Sequence, residues 1–204
     1  MEQIRLNDVG LGYRQCSDLN DLVTKSGETL LDEMSGTINS LKAHWIGSDA
    51  TTHINNLIVV RDALGALLAD AKEVTSSAGD SIIAVQTVIR SNGGAGEVGT
   101  ELNRAIKEIV AIAKAAETNE FNVDPAAADD YNKLVDECSK FDSFVSDFES
   151  KREELMANWT AGANIEDAKS KFQKFSENSE TYKKYMNDAK ENLSIAVSNI
   201  SKLG

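Results

Sequence analysis

Four stretches of this chain repeat apolar residues at three- and four-residue spacing for most of its length, the pattern of long amphipathic helices. The first, residues 17–44, opens on Ser17 as the expected N-cap and carries Leu19, Leu22, Val23, Leu30, Met34, Ile38 and Leu41 on one face. The second, about residues 50–90, runs through Ile54, Leu57, Ile58, Leu64, Leu67, Leu68, Ala71, Val74, Ile82, Val85 and Ile89. Arg61 is its polar interruption and Gly79 a point of weakening or bending, since an interior glycine costs about 1 kcal/mol against alanine. The third, residues 126–157, aligns Leu134, Cys138, Phe141, Val145, Phe148 and Leu155. The fourth, residues 163–201, aligns Ile165, Ala168, Phe172, Phe175, Tyr182, Met186, Ala189, Leu193, Val197 and Ile200. Each stripe covers one side only. A helix of this length with one apolar side needs another helix over it, so the expected fold is all-α: two long helical hairpins packed as an elongated helical bundle.

The breaks set the domain organisation. "SNGGAGEVG", residues 91–99, is a glycine-rich linker that closes the first hairpin, residues 1–99. A linking helix at about 100–118, with Leu102, Ile106, Ile109, Val110 and Ala113, is expected next, ended by "NEFNVDP" at Pro125; residues 100–125 thus form a linking helix and loop. The second, divergent hairpin occupies residues 126–204. Each hairpin has a tryptophan at its turn, Trp45 in "HWIGSDA" and Trp159 in "NWTAGAN", and these are the only two in the chain. The order long helix, tryptophan turn, long helix therefore occurs twice, as an approximate tandem repeat. Gly47 and Gly162 supply backbone freedom for the two turns.

Charge and composition narrow the functional classes. The net charge is -12, with 7 basic and 13 acidic residues in 1–100 and 14 and 20 in 101–204, so neither half offers a basic face for nucleic acid or acidic lipid. No apolar run approaches the roughly 18 residues of a membrane span, and "MEQIRLNDVG" has no signal-peptide character. No membrane insertion is expected, and any export would follow a signal-peptide-independent route. Cys16 and Cys138 form no CxxC; Cys138 reads as a small buried hydrophobe, while Cys16 is expected to precede the first helix, where its exposure is open.

Candidate chemistry is sparse. His44 and His53, nine positions apart, have no companion ligands at metal spacing. Gly94, Gly96 and Gly99 satisfy G-x-G-x-x-G, but a helix rather than a strand is expected before them, so the stretch reads as linker and no cofactor is expected. Neighbouring carboxylates such as Asp129 and Asp130, or Glu153 and Glu154, do not share a helix face. No nucleophile, base and stabilising group converge, and a non-enzymatic protein is expected.

Trp45-Ile46-Gly47 between two long amphipathic helices resembles the Trp-x-Gly turn of the WXG100 (ESAT-6-like) superfamily, the small helical-hairpin proteins of type VII secretion. Residues 1 to about 100 carry the likeness best. In Trp159-Thr160-Ala161-Gly162 the glycine falls one residue late. The resemblance implies hairpins paired antiparallel, here two in one polypeptide or each with a half of another chain, which leaves a homo-oligomer open. It also implies an export signal, Tyr-x-x-x-Asp/Glu, acting with the Trp-x-Gly of the facing hairpin. In "TYKKYMNDAKENL" Asp188 follows Tyr185 by three residues and Met186 stands four after Tyr182, so the signal is present only in divergent form.

The function so implied is a non-enzymatic type VII secretion-associated protein with a cytoplasmic stage before export. It is secreted itself or serves as a helical carrier, chaperone or targeting partner for a larger helical toxin or effector, or for the secretion machinery. The alternative is an autonomous extracellular or cell-surface helical module with internally paired hairpins. Trp45, Gly47, Trp159 and Gly162 are the expected turn and recognition residues.

Overall fold

A computed structural model describes residues 5–162 and 164–200, so residues 163 and 201 of the expected fourth helix lie outside the described residues. The fold is an all-α helical bundle with four very short strands. In chain order these are β1 (Arg5–Leu6), α1 (Val9–Leu22), a π-helical turn (Val23–Gly27), α2 (Glu28–His44), β2 (Trp45–Ile46) and α3 (Ser48–Ser91). After a long connection follow β3 (Asn122–Val123), α4 (Ala126–Asn158), β4 (Trp159–Ala161) and α5 (Ile165–Ile200).

The first helix starts earlier than its pattern suggested. Asp8, not Ser17, is the N-cap: its Oδ1 accepts from the Leu11 N–H at 2.8 Å. Gly10 and Gly12 make this first turn look non-helical in sequence. Gly12, however, is buried where a Cβ would stand 3.2 Å from both Ile82 and Asn158, so close packing selects glycine inside a helix that tertiary contacts sustain. Cys16 consequently lies within α1, not ahead of the first helix as expected, and is fully buried; burial pushes its thiol up to about 12. Cys138 is buried as expected, and both cysteines are free.

The contacts divide the chain into two compact units, each drawing on both hairpins. Unit 1 comprises residues 1–27, 67–106 and 144–179. Here Asn20 of α1 bonds Thr75 and Ser76 of α3, and the Phe148 ring of α4 meets Phe172 and Phe175 of α5 at centroid distances of 6.1 and 4.2 Å. Lys171 of α5 reaches Ser77 of α3, so the hairpins contact each other within the unit. Unit 2 comprises residues 28–66, 107–143 and 180–204. Its core joins Leu30, Met34, Ile38 and Leu41 of α2, Ile54, Leu57 and Leu64 of α3, Leu134 and Phe141 of α4, and Tyr182 and Met186 of α5, all buried. The Tyr182 hydroxyl donates to Met34 Sδ at 3.3 Å, and Thr37 to Glu137 at 2.5 Å. Covering apolar area at about 25 cal/mol per Å² is what makes these stripes cohere, and here the cover comes from the same chain.

The expected linking helix at 100–118 is absent. Residues 97–118 form neither helix nor strand and run as an extended strap. In unit 1 the strap carbonyl of Asn103 accepts from Asn20 Nδ2 at 2.9 Å and from Ser76 Oγ at 3.2 Å, while the Gly99 N–H donates to Gln86 Oε1 at 2.9 Å. In unit 2 the strap carbonyls of Val110, Ala113 and Ala116 accept from Arg61, Lys42 and Thr51. A helix would turn these carbonyls inward and strand the buried side chains that now donate to them. Partial burial on the strap falls at Val98, Gly99 and Leu102 and then, from Ile106 on, at every third residue, Ile109, Ile112, Ala115 and Thr118, rather than at helical spacing. Gly79 does not break α3, which is continuous; it leaves room for Leu102, whose Cδ1 would stand 2.9 Å from an added Cβ.

Candidate interaction site at the tryptophan turns

Both turns are fastened by one local device, each within its own unit. In unit 2, β2 pairs antiparallel with β3, setting Trp45 opposite Val123 and Ile46 opposite Asn122. The Asp124 N–H then donates to the His44 carbonyl at 2.7 Å, while Asp124 Oδ1 accepts from Ala126 N–H at the start of α4. In unit 1, β1 pairs antiparallel with β4, setting Leu6 opposite Trp159 and Arg5 opposite Ala161. Asn158 reads the Asp8 main chain in both directions, accepting from its N–H at 2.9 Å and donating to its carbonyl at 2.8 Å, and Asp8 caps α1. So the residue before each tryptophan binds an aspartate that caps the first helix of the other hairpin. Strands of two or three residues leave no periodicity to read; the aspartates before Val9 and Pro125 are the available signal.

The tryptophans are interior. Trp45 is 3% exposed and Trp159 0%, and Trp159 Nε1 donates to the Gly162 carbonyl at 3.3 Å. Gly162 has φ 73° and Gly47 φ 149°, conformations that L side chains rarely adopt. A Cβ on Gly47 would stand 3.3 Å from the exposed Phe121 ring. The indole of Trp45 stacks on His53 of α3, with centroids 5.5 Å apart and planes 19° from parallel.

His53 also forms one end of a groove in unit 2 with a volume of about 340 Å³. Leu57, Val59 and Val60 of α3 line one wall, and Tyr185, Asp188 and Leu193 of α5 the other. Val59 is 63% exposed and Tyr185 49%, so the groove is apolar and open. Of the divergent export-signal residues, Tyr185 and Asp188 line the groove that His53 also lines. Tyr182 does not: it is buried against Phe141, with ring centroids 4.4 Å apart, and burial holds its hydroxyl well above the ordinary range. The structure does not join the Trp159 turn, which belongs to unit 1, to this groove.

Beside the Trp45 turn, the Asp130 carboxylate is buried and bonds His44 Nδ1 and Lys133 Nζ at 2.8 and 2.9 Å. Burial raises its pKa, but hydrogen bonds from His44, Lys133 and Ser40 outweigh that and hold it below the ordinary carboxylate range. Further along the α2–α4 contact, Glu137 is 3% exposed; its Oε1 accepts from Thr37 and its Oε2 has no partner. Burial pushes this carboxyl up to about 7 despite the Thr37 bond. In sequence Glu137 is one of a pair of adjacent carboxylates with Asp136, and adjacency on a helix gives no sign of which one is buried.

Comparisons with protein-family models, curated proteins and solved structures found no match. The site therefore rests on its own geometry. Among the described residues no group of three or more His, Cys, Asp or Glu side chains could hold a metal ion, and no helix is long and apolar enough to cross a membrane. Gly94, Gly96 and Gly99 lie in the irregular connection after α3. The arrangement offers a surface for contact: a rigid turn, a stacked imidazole and an open apolar groove with a phenol and a carboxylate on its rim.

Proposed function

We propose that the chain is a non-enzymatic helical protein of type VII secretion, a tandem WXG100-like form that leaves the cytoplasm without a signal peptide. Its role is to be exported itself or to carry or target a larger helical toxin or effector to the secretion machinery. One observation carries this reading. In unit 2, Tyr185 and Asp188 of α5 line the groove whose far end is His53, stacked on Trp45 of the Trp-Ile-Gly turn. The resemblance implies an export signal that works with the Trp-x-Gly of the facing partner, and a divergent pair sharing one groove with the imidazole that stacks on Trp45 supports that reading. The burial of Trp45 supports a role in shaping this surface rather than in touching a partner directly.

The test is export of the tagged full-length chain from a Gram-positive host with a functional type VII system, against the same host lacking the secretion ATPase. Accumulation in the medium that needs the ATPase and falls on Tyr185→Ala or Asp188→Ala supports the proposal. Equal release from both hosts, or none from either with the neighbouring genes coexpressed, refutes it.

A second reading, an autonomous extracellular or cell-surface module, is favoured by the intramolecular cover of the stripes in both units, with Met34 against Tyr182 in one and Phe148 against Phe172 in the other. Purification of a 22.1 kDa monomer from the medium, with no stoichiometric companion, would select it.

A further inference from the structure

In unit 2, residues 107–118 of the strap are held chiefly through their main chain. Arg61, itself 2% exposed, donates to the Val110 carbonyl, and Lys42 Nζ to the Ala113 carbonyl at 2.5 Å. The Asn55 amide binds Ala115 on both sides, accepting from its N–H at 2.9 Å and donating to its carbonyl at 3.4 Å, and Thr51 Oγ1 donates to the Ala116 carbonyl at 3.0 Å. One aliphatic side chain is seated: Ile109 Cδ1 occupies the space that a Cβ on Gly65 of α3 would need. Main-chain hydrogen bonds for affinity and a notch for a side chain are how proteins bind extended peptides.

The tenant is poorly suited to its site. None of residues 107–118 is buried, so the strap lacks the apolar cover that fixes the helices beside it. The stretch "AIKEIVAIAKAAET", residues 105–118, is rich in Ala, Glu and Lys, strong helix formers, so its extended form is imposed by the groove and opposed by its own preference. A segment without that preference would lie in the same groove at lower cost.

We infer that the α2–α3 face of unit 2 is a binding groove for extended polypeptide, with one aliphatic side chain entering the Gly65 notch, and that residues 107–118 are an intramolecular occupant that a partner's extended segment displaces. The donors on Arg61, Asn55, Thr51 and Lys42 read main-chain atoms, so the partner is defined by extended conformation and one Ile- or Leu-sized residue. This site is separate from the His53–Tyr185 groove, and export results do not bear on it.

The experiment uses the full chain and a fluorescent synthetic peptide of residues 105–118 as probe. Ile109→Asp empties the notch in cis, and Gly65→Ala fills it while favouring helix α3. Fluorescence anisotropy is expected to show the peptide binding the Ile109→Asp chain at least about ten-fold tighter than the unmodified chain. Adding Gly65→Ala should remove that gain, with helical circular dichroism unchanged. A folded Ile109→Asp chain that does not bind the peptide, or binding that Gly65→Ala leaves intact, overturns the inference. Hydrogen exchange on the unmodified chain is a readout independent of any variant. Amides at 107–118 should exchange faster than those of α2 and α3 beside them, and protection equal to those helices overturns displacement.

Discussion

Glu137 offers the most direct test of the energetics at the α2–α4 contact. Its carboxyl is 3% exposed, with one oxygen on Thr37 and the other without a partner. The charged groups around it are Glu33 of α2 and Asp136 and Lys140 of α4, with Lys133 lining the same polar pocket and the Tyr182 hydroxyl of α5 also feeling its charge. Lys140 is engaged by Glu33 and Asp136 at 3.0 and 2.9 Å and Lys133 by Asp130 at 2.9 Å, which blunts the cations that favour ionisation. The folded chain therefore holds this proton to about 7, whereas an unfolded glutamate releases it near 4.5.

The sign follows from linkage. Between these values the folded state binds the extra proton, so stability falls as pH rises from about 4.5 through about 7. At 1.36 kcal/mol per unit the full effect is about 3 kcal/mol, a ceiling because the neighbouring pocket admits water to the rim. Glu137→Gln keeps the shape and an acceptor for Thr37 while removing the ionisation. In urea unfolding, the variant should match the unmodified chain near pH 4.5 and exceed it by up to about 3 kcal/mol near pH 8. A stability difference that does not change between those pH values would refute the reasoning.

Other substitutions probe other parts of the bundle. Gly47→Val places a β-branched side chain at φ 149° with its Cβ 3.3 Å from Phe121, and should cost about 1–3 kcal/mol; unchanged thermal unfolding and native mass would count against the turn geometry. Trp159→Phe deletes the donor to the buried Gly162 carbonyl and should cost about 1–3 kcal/mol, read by chemical unfolding. Phe148→Ala empties the centre of the aromatic cluster in unit 1 and should cost about 3–5 kcal/mol, visible as a lowered denaturant midpoint. For Asp130 the sign opposes that of Glu137. Its depressed pKa contributes stability that is present above the ordinary carboxylate value and lost as pH falls through the folded one, so Asp130→Asn should flatten the acid limb of the unfolding profile below pH 4 or so.

The long helices were legible because one-sided periodicity over thirty or so residues has few other solutions. Leu30, Met34, Ile38, Leu41, Phe141, Phe148, Phe172 and Phe175 all proved to be core. Local chemistry misleads where tertiary contacts decide. Ser17 is a good cap by type, yet Asp8 caps because Asn158 holds its main chain in place. Residues 100–118 have helical spacing and helical composition, yet the polar side chains inside hairpin 1 take their carbonyls. Arg61, visible as a break in an apolar stripe, was the one sequence trace of those donors. Of the candidate site, the turn positions were legible; the groove that Tyr185 and Asp188 share with His53 was not, because nothing local links positions more than a hundred residues apart.

The strap also explains why hairpin 1 carries so many polar residues on inward positions. Asn20, Arg61, Thr75, Ser76 and Gln86 are all buried. In a bundle closed by helix packing alone, each would lose hydrogen bonds to water and require a partner from a neighbouring stripe that is mostly Leu, Ile and Phe. The extended strap resolves this in each unit by presenting a row of otherwise unused peptide groups: Asn103 to Asn20 and Ser76, Gly99 to Gln86, and Val110 to Arg61. A helix in the same place would have satisfied its own carbonyls and removed these bonds, leaving Asn20 to Thr75 and Ser76 and Arg61 to Ser35 and Asp62. The polar interior of hairpin 1 and the unhelical course of a helix-forming segment thus have one cause. The same cause leaves residues 107–118 without a buried side chain and with main-chain carbonyls of Val110, Ala113, Ala115 and Ala116 as their hold on the bundle.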